Sequence, residues 1–164
     1  MKQIQFGNLL DTSLPVYKDN DYNIIVHGCN AQGVMGSGVA LGVKQKWPGA
    51  FEEYHAFVRN FTGSQSELLG KVIPYAIEEE NLLIANAITQ VNFGKDGKRY
   101  VSYSAVNTSF NSIAQIASGF RSVAVHYPLI GAGLGGGDWA IISDIIDVNM
   151  NRYPHLSHYL WILE

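Results

Sequence analysis

Two glycine-rich stretches carry the first chemical signal in this chain. Residues Gly28 to Gly38 read Gly-Cys-Asn-Ala-Gln-Gly-Val-Met-Gly-Ser-Gly, and residues Gly131 to Gly137 read Gly-Ala-Gly-Leu-Gly-Gly-Gly. Each follows an apolar run and precedes a helical pattern, which predicts a loop at the carboxyl edge of a sheet with free N–H groups. Glycines there let the backbone approach a ligand closely, and the start of a helix favours an anion through its dipole and its unpaired N–H groups. One such loop alone is equally a flexible turn. Two in the same setting fit a diphosphate. Gly131, Gly133 and Gly136 also satisfy G-x-G-x-x-G. The dinucleotide-binding form of that motif belongs to the first strand-helix unit, however, and here only one helix and one strand remain.

His27 and Asn30 flank the start of the first loop. A histidine there can act as general acid or base near neutral pH, or it can be a hydrogen-bonded strand-end residue. Asn30 can hold a sugar hydroxyl or shape a turn. Cys29 has only His27 as a basic neighbour and reads as a small buried thiol rather than a nucleophile. His126 lies inside an apolar strand and Tyr127 faces the other way, so both read as packing residues. His55, His155 and His158 show no metal-ligand spacing, and a single cysteine leaves too few thiolates for a zinc site. No metal and no cofactor is expected.

The elements that must position these loops follow from periodicity. Ile4 and Phe6 alternate with Gln3 and Gln5 in an amphipathic strand that ends at Gly7, and Asn23 to His27 forms a second, buried strand. Val39, Ala40, Val43 and Trp47 recur at helical spacing until Pro48, which opens another helix carrying Phe51, Tyr54, Phe57 and Val58. Strands over 71–76 and 82–88 flank the acidic turn Glu78 to Glu80. Val106, Phe110, Ile113 and Ala117 step by four, three and four, predicting a helix over 102–117. A buried strand over 122–130, a helix capped by Asp138 and a last strand over 158–163 complete the order β-β-α-α-β-β-α-β-α-β. That order predicts an α/β mixed sheet with helices on both faces.

Bulk properties narrow the classes. With 164 residues, 47% hydrophobic and 15% charged, the chain is expected to form one domain spanning 1–164. A net charge of −3 without a basic stripe predicts no extended nucleic-acid surface. No apolar run is long enough for a membrane span, and Met1 to Phe6 alternate instead of building a signal peptide. With one cysteine, a reducing, cytoplasmic setting is expected. Nothing in the sequence specifies an oligomeric state.

Together these residues resemble the macro-domain family over essentially the whole chain. Gly7-Asn8-Leu9-Leu10 is similar to the family's opening Gly-Asp/Asn-Ile motif, and Val26 to Asn30 followed by Gly33 to Ala40 is similar to its ribose and first phosphate loops. Ile130 to Leu134, continuing through Asp138-Trp139, is similar to the second phosphate loop. The resemblance implies a three-layer α/β/α domain with a mixed, roughly six-stranded sheet. It also implies ADP-ribose or ADP-ribose 1″-phosphate as the partner molecule. By the same likeness, Asn8 and Leu9 lie near adenine, Asn30 on the distal ribose and His27 beside the terminal phosphate, the last two as catalytic residues. Gly33, Val34, Met35, Gly36, Ser37 and Gly38 would hold one phosphate. Gly131, Ala132, Gly133, Leu134 and Gly135 would hold the other.

Within the family, His27-Gly28-Cys29-Asn30 and Leu69-Gly70-Lys71 resemble the branch that removes phosphate from ADP-ribose 1″-phosphate. The implied activity is that hydrolysis. Capture of ADP-ribose without turnover, or hydrolysis of ADP-ribosyl or acyl-ADP-ribose esters, are the alternatives. The terminal ADP-ribose glycohydrolase branch is also similar, but it relies on a lysine and an aspartate where this chain has Gln90 and Gly135.

Overall fold

The computed structural model describes residues 2–163, so the end residues 1 and 164 of the expected domain lie outside the described residues. Six strands are present: β1 (Lys2–Phe6), β2 (Tyr22–Asn30), β3 (Val72–Ile77), β4 (Leu82–Gln90), β5 (Val123–Tyr127) and β6 (Ser157–Ile162). Four helices join them: α1 (Gly38–Lys46), α2 (Pro48–Asn60), α3 (Tyr103–Ser118) and α4 (Trp139–Met150). The sheet order is β1-β6-β5-β2-β4-β3. All neighbours are parallel except β3, which pairs antiparallel with β4. The sheet is therefore mixed, as the element order predicts.

Alternation along β2 divides the core between the two faces. Ile25 and Cys29 pack with Val43 of α1 and Ala50 and Tyr54 of α2. Ile24 and Val26 pack with Val106, Phe110 and Ile113 of α3 and Ile142 and Ile146 of α4. This makes three layers. Ser102 caps α3 by accepting from the Ala105 N–H at 3.1 Å, and Asp138 caps α4 by accepting from the Ala140 N–H at 2.9 Å. No helix among the described residues is long and apolar enough to cross a membrane.

Two expectations are corrected. The apolar side of β1 is not its buried side, since Ile4 is 54% and Phe6 61% exposed. β1 is an edge strand whose alternation puts Lys2, Ile4 and Phe6 on one face. On that face α4 covers only Lys2, whose ammonium reaches Ser143 Oγ at 2.9 Å and the Asp147 carboxylate at 3.2 Å. The second correction concerns β2, which continues to Asn30. Gly28, Cys29 and Asn30 are strand residues, and the loop proper spans 31–37.

Candidate functional site

The carboxyl ends of the five parallel strands open onto one cavity of about 990 Å³. That is the edge where ligands bind in open α/β sheets, and the volume suits a ligand larger than a single nucleoside. Its lining runs from Asn8 after β1, past Trp161 of β6, to Gln90 of β4.

The first loop is shaped by a bulge. Cys29 pairs with Ile88 and Asn30 with Gln90, which leaves Thr89 unopposed. Asn30 Oδ1 accepts from the Gln32 N–H at 3.0 Å and from the Tyr54 hydroxyl at 2.9 Å, while Nδ2 donates to the Val34 carbonyl at 3.0 Å. The amide thus fixes the loop and keeps one N–H for a ligand. Gly33 has φ +80°, and its carbonyl faces His55 Nδ1 at 2.9 Å. Met35 is buried in the core, whereas Val34, Gly36, Ser37 and Gly38 are exposed. Beyond this loop α1 begins without a side-chain cap. Its first intrahelical bond comes from Leu41 to Ser37, which leaves the N–H groups of Gly38, Val39 and Ala40 unpaired at the cavity edge.

The second loop closes on itself through a Gly137 N–H to Gly131 carbonyl bond of 2.7 Å, with Gly131 at φ +74° and Gly136 at φ +69°. The Gly135 carbonyl accepts from the N–H groups of Tyr100 and Val101 at 2.7 and 3.1 Å. The N–H groups of Gly133, Leu134 and Gly135 donate to no backbone carbonyl among the described residues. A Cβ added at Gly36 or Gly133 would meet nothing within 4 Å. Neither glycine has a positive φ, so the fold itself does not require glycine at either place. Both border the cavity from opposite loops.

Asn8 stands exposed at the far end, its Oδ1 accepting from the Leu10 N–H at 2.9 Å. Leu9 is 4% exposed, so only its backbone can meet a ligand.

No family model matches the chain. Over 158 residues it is 27% identical to an ADP-ribose 1″-phosphate phosphatase of Candida albicans, covering 90% of this chain and 95% of that relative. A macrodomain protein from Streptomyces coelicolor superimposes with a TM-score of 0.74 and 27% identity over 98% of this chain and 99% of that one. The macrodomain of Mycobacterium tuberculosis DarG, 20% identical, gives a TM-score of 0.78 over 98% and 97% of the two chains. The chain has the three-layer fold of the macro domains.

His27 is not the exposed acid or base that its position suggests. Its ring is 1% exposed and lies beneath α2, with Nε2 2.5 Å from Asn86 Oδ1. The Asn86 Nδ2 in turn donates to the Ala50 carbonyl at 3.1 Å. Nε2 therefore carries the proton, and both ring nitrogens lie 3.8 Å from the Cys29 sulfur. Burial pulls the pKa of His27 down to about 4, only partly offset by the Asn86 bond. The Cys29 thiol is pushed well up by burial, which fits a packing role. His126 is likewise enclosed. It accepts from Trp161 Nε1 at 3.0 Å, donates from Nε2 to Asn23 Oδ1 at 2.8 Å, and stacks on Tyr17 at 4.2 Å.

Two parts of the cavity wall were not expected from the sequence. Thr89 is 1% exposed with no partner for its hydroxyl among the described residues, and Gly28 is small because a Cβ there would sit 3.0 Å from that oxygen. Phe93, Gly94 and Lys95 also line the cavity from the segment after β4. Thr89 has no signal in the sequence beyond ordinary strand composition. Lys95 is one of four charged residues within 95–99, and nothing in their spacing singles it out.

Proposed function

We propose that this macro domain binds ADP-ribose-type dinucleotides across the two loops and hydrolyses ADP-ribose 1″-phosphate to ADP-ribose and phosphate. One observation carries the reading: two loops with unpaired N–H groups, one of them running into an uncapped helix start, face each other across a single cavity at the sheet's carboxyl edge. The name of the Candida albicans relative supports the same substrate. Adenine would lie beside Asn8 and the Leu9 backbone. The first phosphate would lie on the 33–38 segment and the second on the 131–135 segment. The distal ribose would take the free N–H of Asn30. One domain over 1–164 in the cytoplasm belongs to the same proposal.

In the reaction, a water oxygen attacks phosphorus, the bond from phosphorus to the 1″ oxygen breaks, and the sugar leaves with its hydroxyl. Fixed N–H donors stabilise the charge. His27 contributes by holding β2 against α2. A second reading, capture of ADP-ribose without turnover, is favoured by one feature. The cavity lining of the described residues holds no carboxylate, and its imidazole is buried and neutral. Phosphate release from ADP-ribose 1″-phosphate by the unmodified protein decides between them. Turnover supports hydrolysis, and tight binding without release supports capture.

A further inference from the structure

The cavity is made for an anion, yet Lys95 is the only charged side chain among the described residues that line it. The lysine sits in a segment whose other charges are engaged. Asp96 accepts from the Tyr100 hydroxyl at 2.8 Å and pairs with Lys98 at 3.8 Å, and the Arg99 guanidinium lies 4.6 Å from the Tyr103 ring centre. Lys95 has no hydrogen bond, ion pair or ring contact with the other described residues.

The segment is anchored at both ends. Gln90 Nε2 donates to the Asn92 carbonyl at 2.9 Å, and the N–H groups of Tyr100 and Val101 bind the Gly135 carbonyl of the second loop. Lys95 lines the cavity from the segment that runs from the end of β4 to the second loop, while Asn8 marks the β1 side. β1 and β4 are separated by four inter-strand steps, roughly 19 Å at about 4.8 Å each. A dinucleotide that starts at Asn8 and crosses both loops would end toward β4, the strand from which the Lys95 segment leaves the sheet.

We propose that Lys95 is the specificity determinant for a terminal phosphomonoester on the distal ribose, and so distinguishes ADP-ribose 1″-phosphate from ADP-ribose. The proposal rests on the binding mode given above. A phosphomonoester carries about −1.5 to −2 charge at neutral pH and presents three acceptor oxygens to the ammonium. The ribose hydroxyl of ADP-ribose offers neither. Lys95 thus binds the group that the reaction removes and releases the product once that charge is gone.

Calorimetric titration of the unmodified protein, Lys95→Gln and Lys95→Arg with both ligands tests this. The unmodified protein is expected to prefer ADP-ribose 1″-phosphate. Lys95→Gln should weaken that ligand about tenfold, the size of one charge-assisted bond at an open site, and leave ADP-ribose within about twofold. Lys95→Arg should keep most of the preference, and added salt should erode it in the unmodified protein but not in Lys95→Gln. Equal weakening of both ligands, or of neither, overturns the role of Lys95 while the two-loop binding mode stands. Binding of neither ligand by the unmodified protein overturns both.

Discussion

Gly133→Val should separate ligand binding from folding. A side chain at Gly133 enters open space, because a Cβ there has no neighbour within 4 Å and the backbone is not left-handed. That space is the cavity edge, where the adjoining N–H groups of Gly133, Leu134 and Gly135 are unpaired. Two added methyl groups on the Cβ would hold a phosphate away from those donors. Losing one charge-assisted bond of about 1.5–3 kcal/mol raises the dissociation constant roughly 10- to 150-fold. Gly135 is the control, since a Cβ there would lie 2.8 Å from the Gly131 carbonyl oxygen and 3.0 Å from its Cα. Gly135→Ala must therefore distort the loop, at about 1–3 kcal/mol and a fall of several degrees in melting temperature. Calorimetric titration with ADP-ribose and thermal unfolding of both variants make the comparison. The expectation is weakened binding with a melting temperature within about 2 °C for Gly133→Val, and a lowered melting temperature for Gly135→Ala. Unchanged affinity in a folded Gly133→Val protein would mean that the second loop does not hold a phosphate.

Three further outcomes follow from the structure. His27 and His126 are neutral in the fold, with pKa values of about 4 and about 3 against 6.5 unfolded. The unfolded chain thus takes up protons first as pH falls. Stability should be full above about pH 7 and decline below 6.5, by about 1.4 kcal/mol per pH unit for each histidine; urea unfolding that is flat between pH 7 and 5 would contradict this. Tyr54→Phe removes the hydroxyl that bonds the Asn30 carbonyl at 2.6 Å and Oδ1 at 2.9 Å. It should cost about 1–3 kcal/mol in chemical denaturation and weaken ADP-ribose several-fold, whereas unchanged affinity would mean that the orientation of Asn30 does not matter. Turnover in ¹⁸O-labelled water should put the label in phosphate, and label in the ribose would show that the sugar carbon is attacked instead.

The periodic segments were the legible part of this fold. Val106, Phe110, Ile113 and Ala117 marked α3, and Ser102 proved to be its cap, because helical spacing and capping chemistry are local properties. Both glycine loops were equally visible, since a glycine cluster between an apolar run and a helical pattern is a local property of the sequence. The errors arose where neighbours decide. Ile4 and Phe6 looked like a core face, but an edge strand is buried only where a helix covers it, and α4 covers only the Lys2 end. His27 ends its strand near the loop, yet the alternation that places Ile25 and Cys29 under α1 and α2 carries the ring there too. Asn86, 59 residues away, completes its pairing. Asn30 reads from the sequence as a ligand-binding residue, and its bonds to Gln32, Val34 and Tyr54 show that it builds the loop. Thr89 becomes visible only once the bulge between β2 and β4 is known.

The central claim is that both loops act on one ligand, each holding one phosphate of a diphosphate. Titration of the unmodified protein with ADP-ribose and with AMP tests it most directly, because AMP can occupy the Asn8 end and one loop but cannot span to the other. One ADP-ribose is expected per chain, bound at least tenfold more tightly than AMP, which corresponds to about one charge-assisted bond. Equal dissociation constants for the two ligands would contradict it.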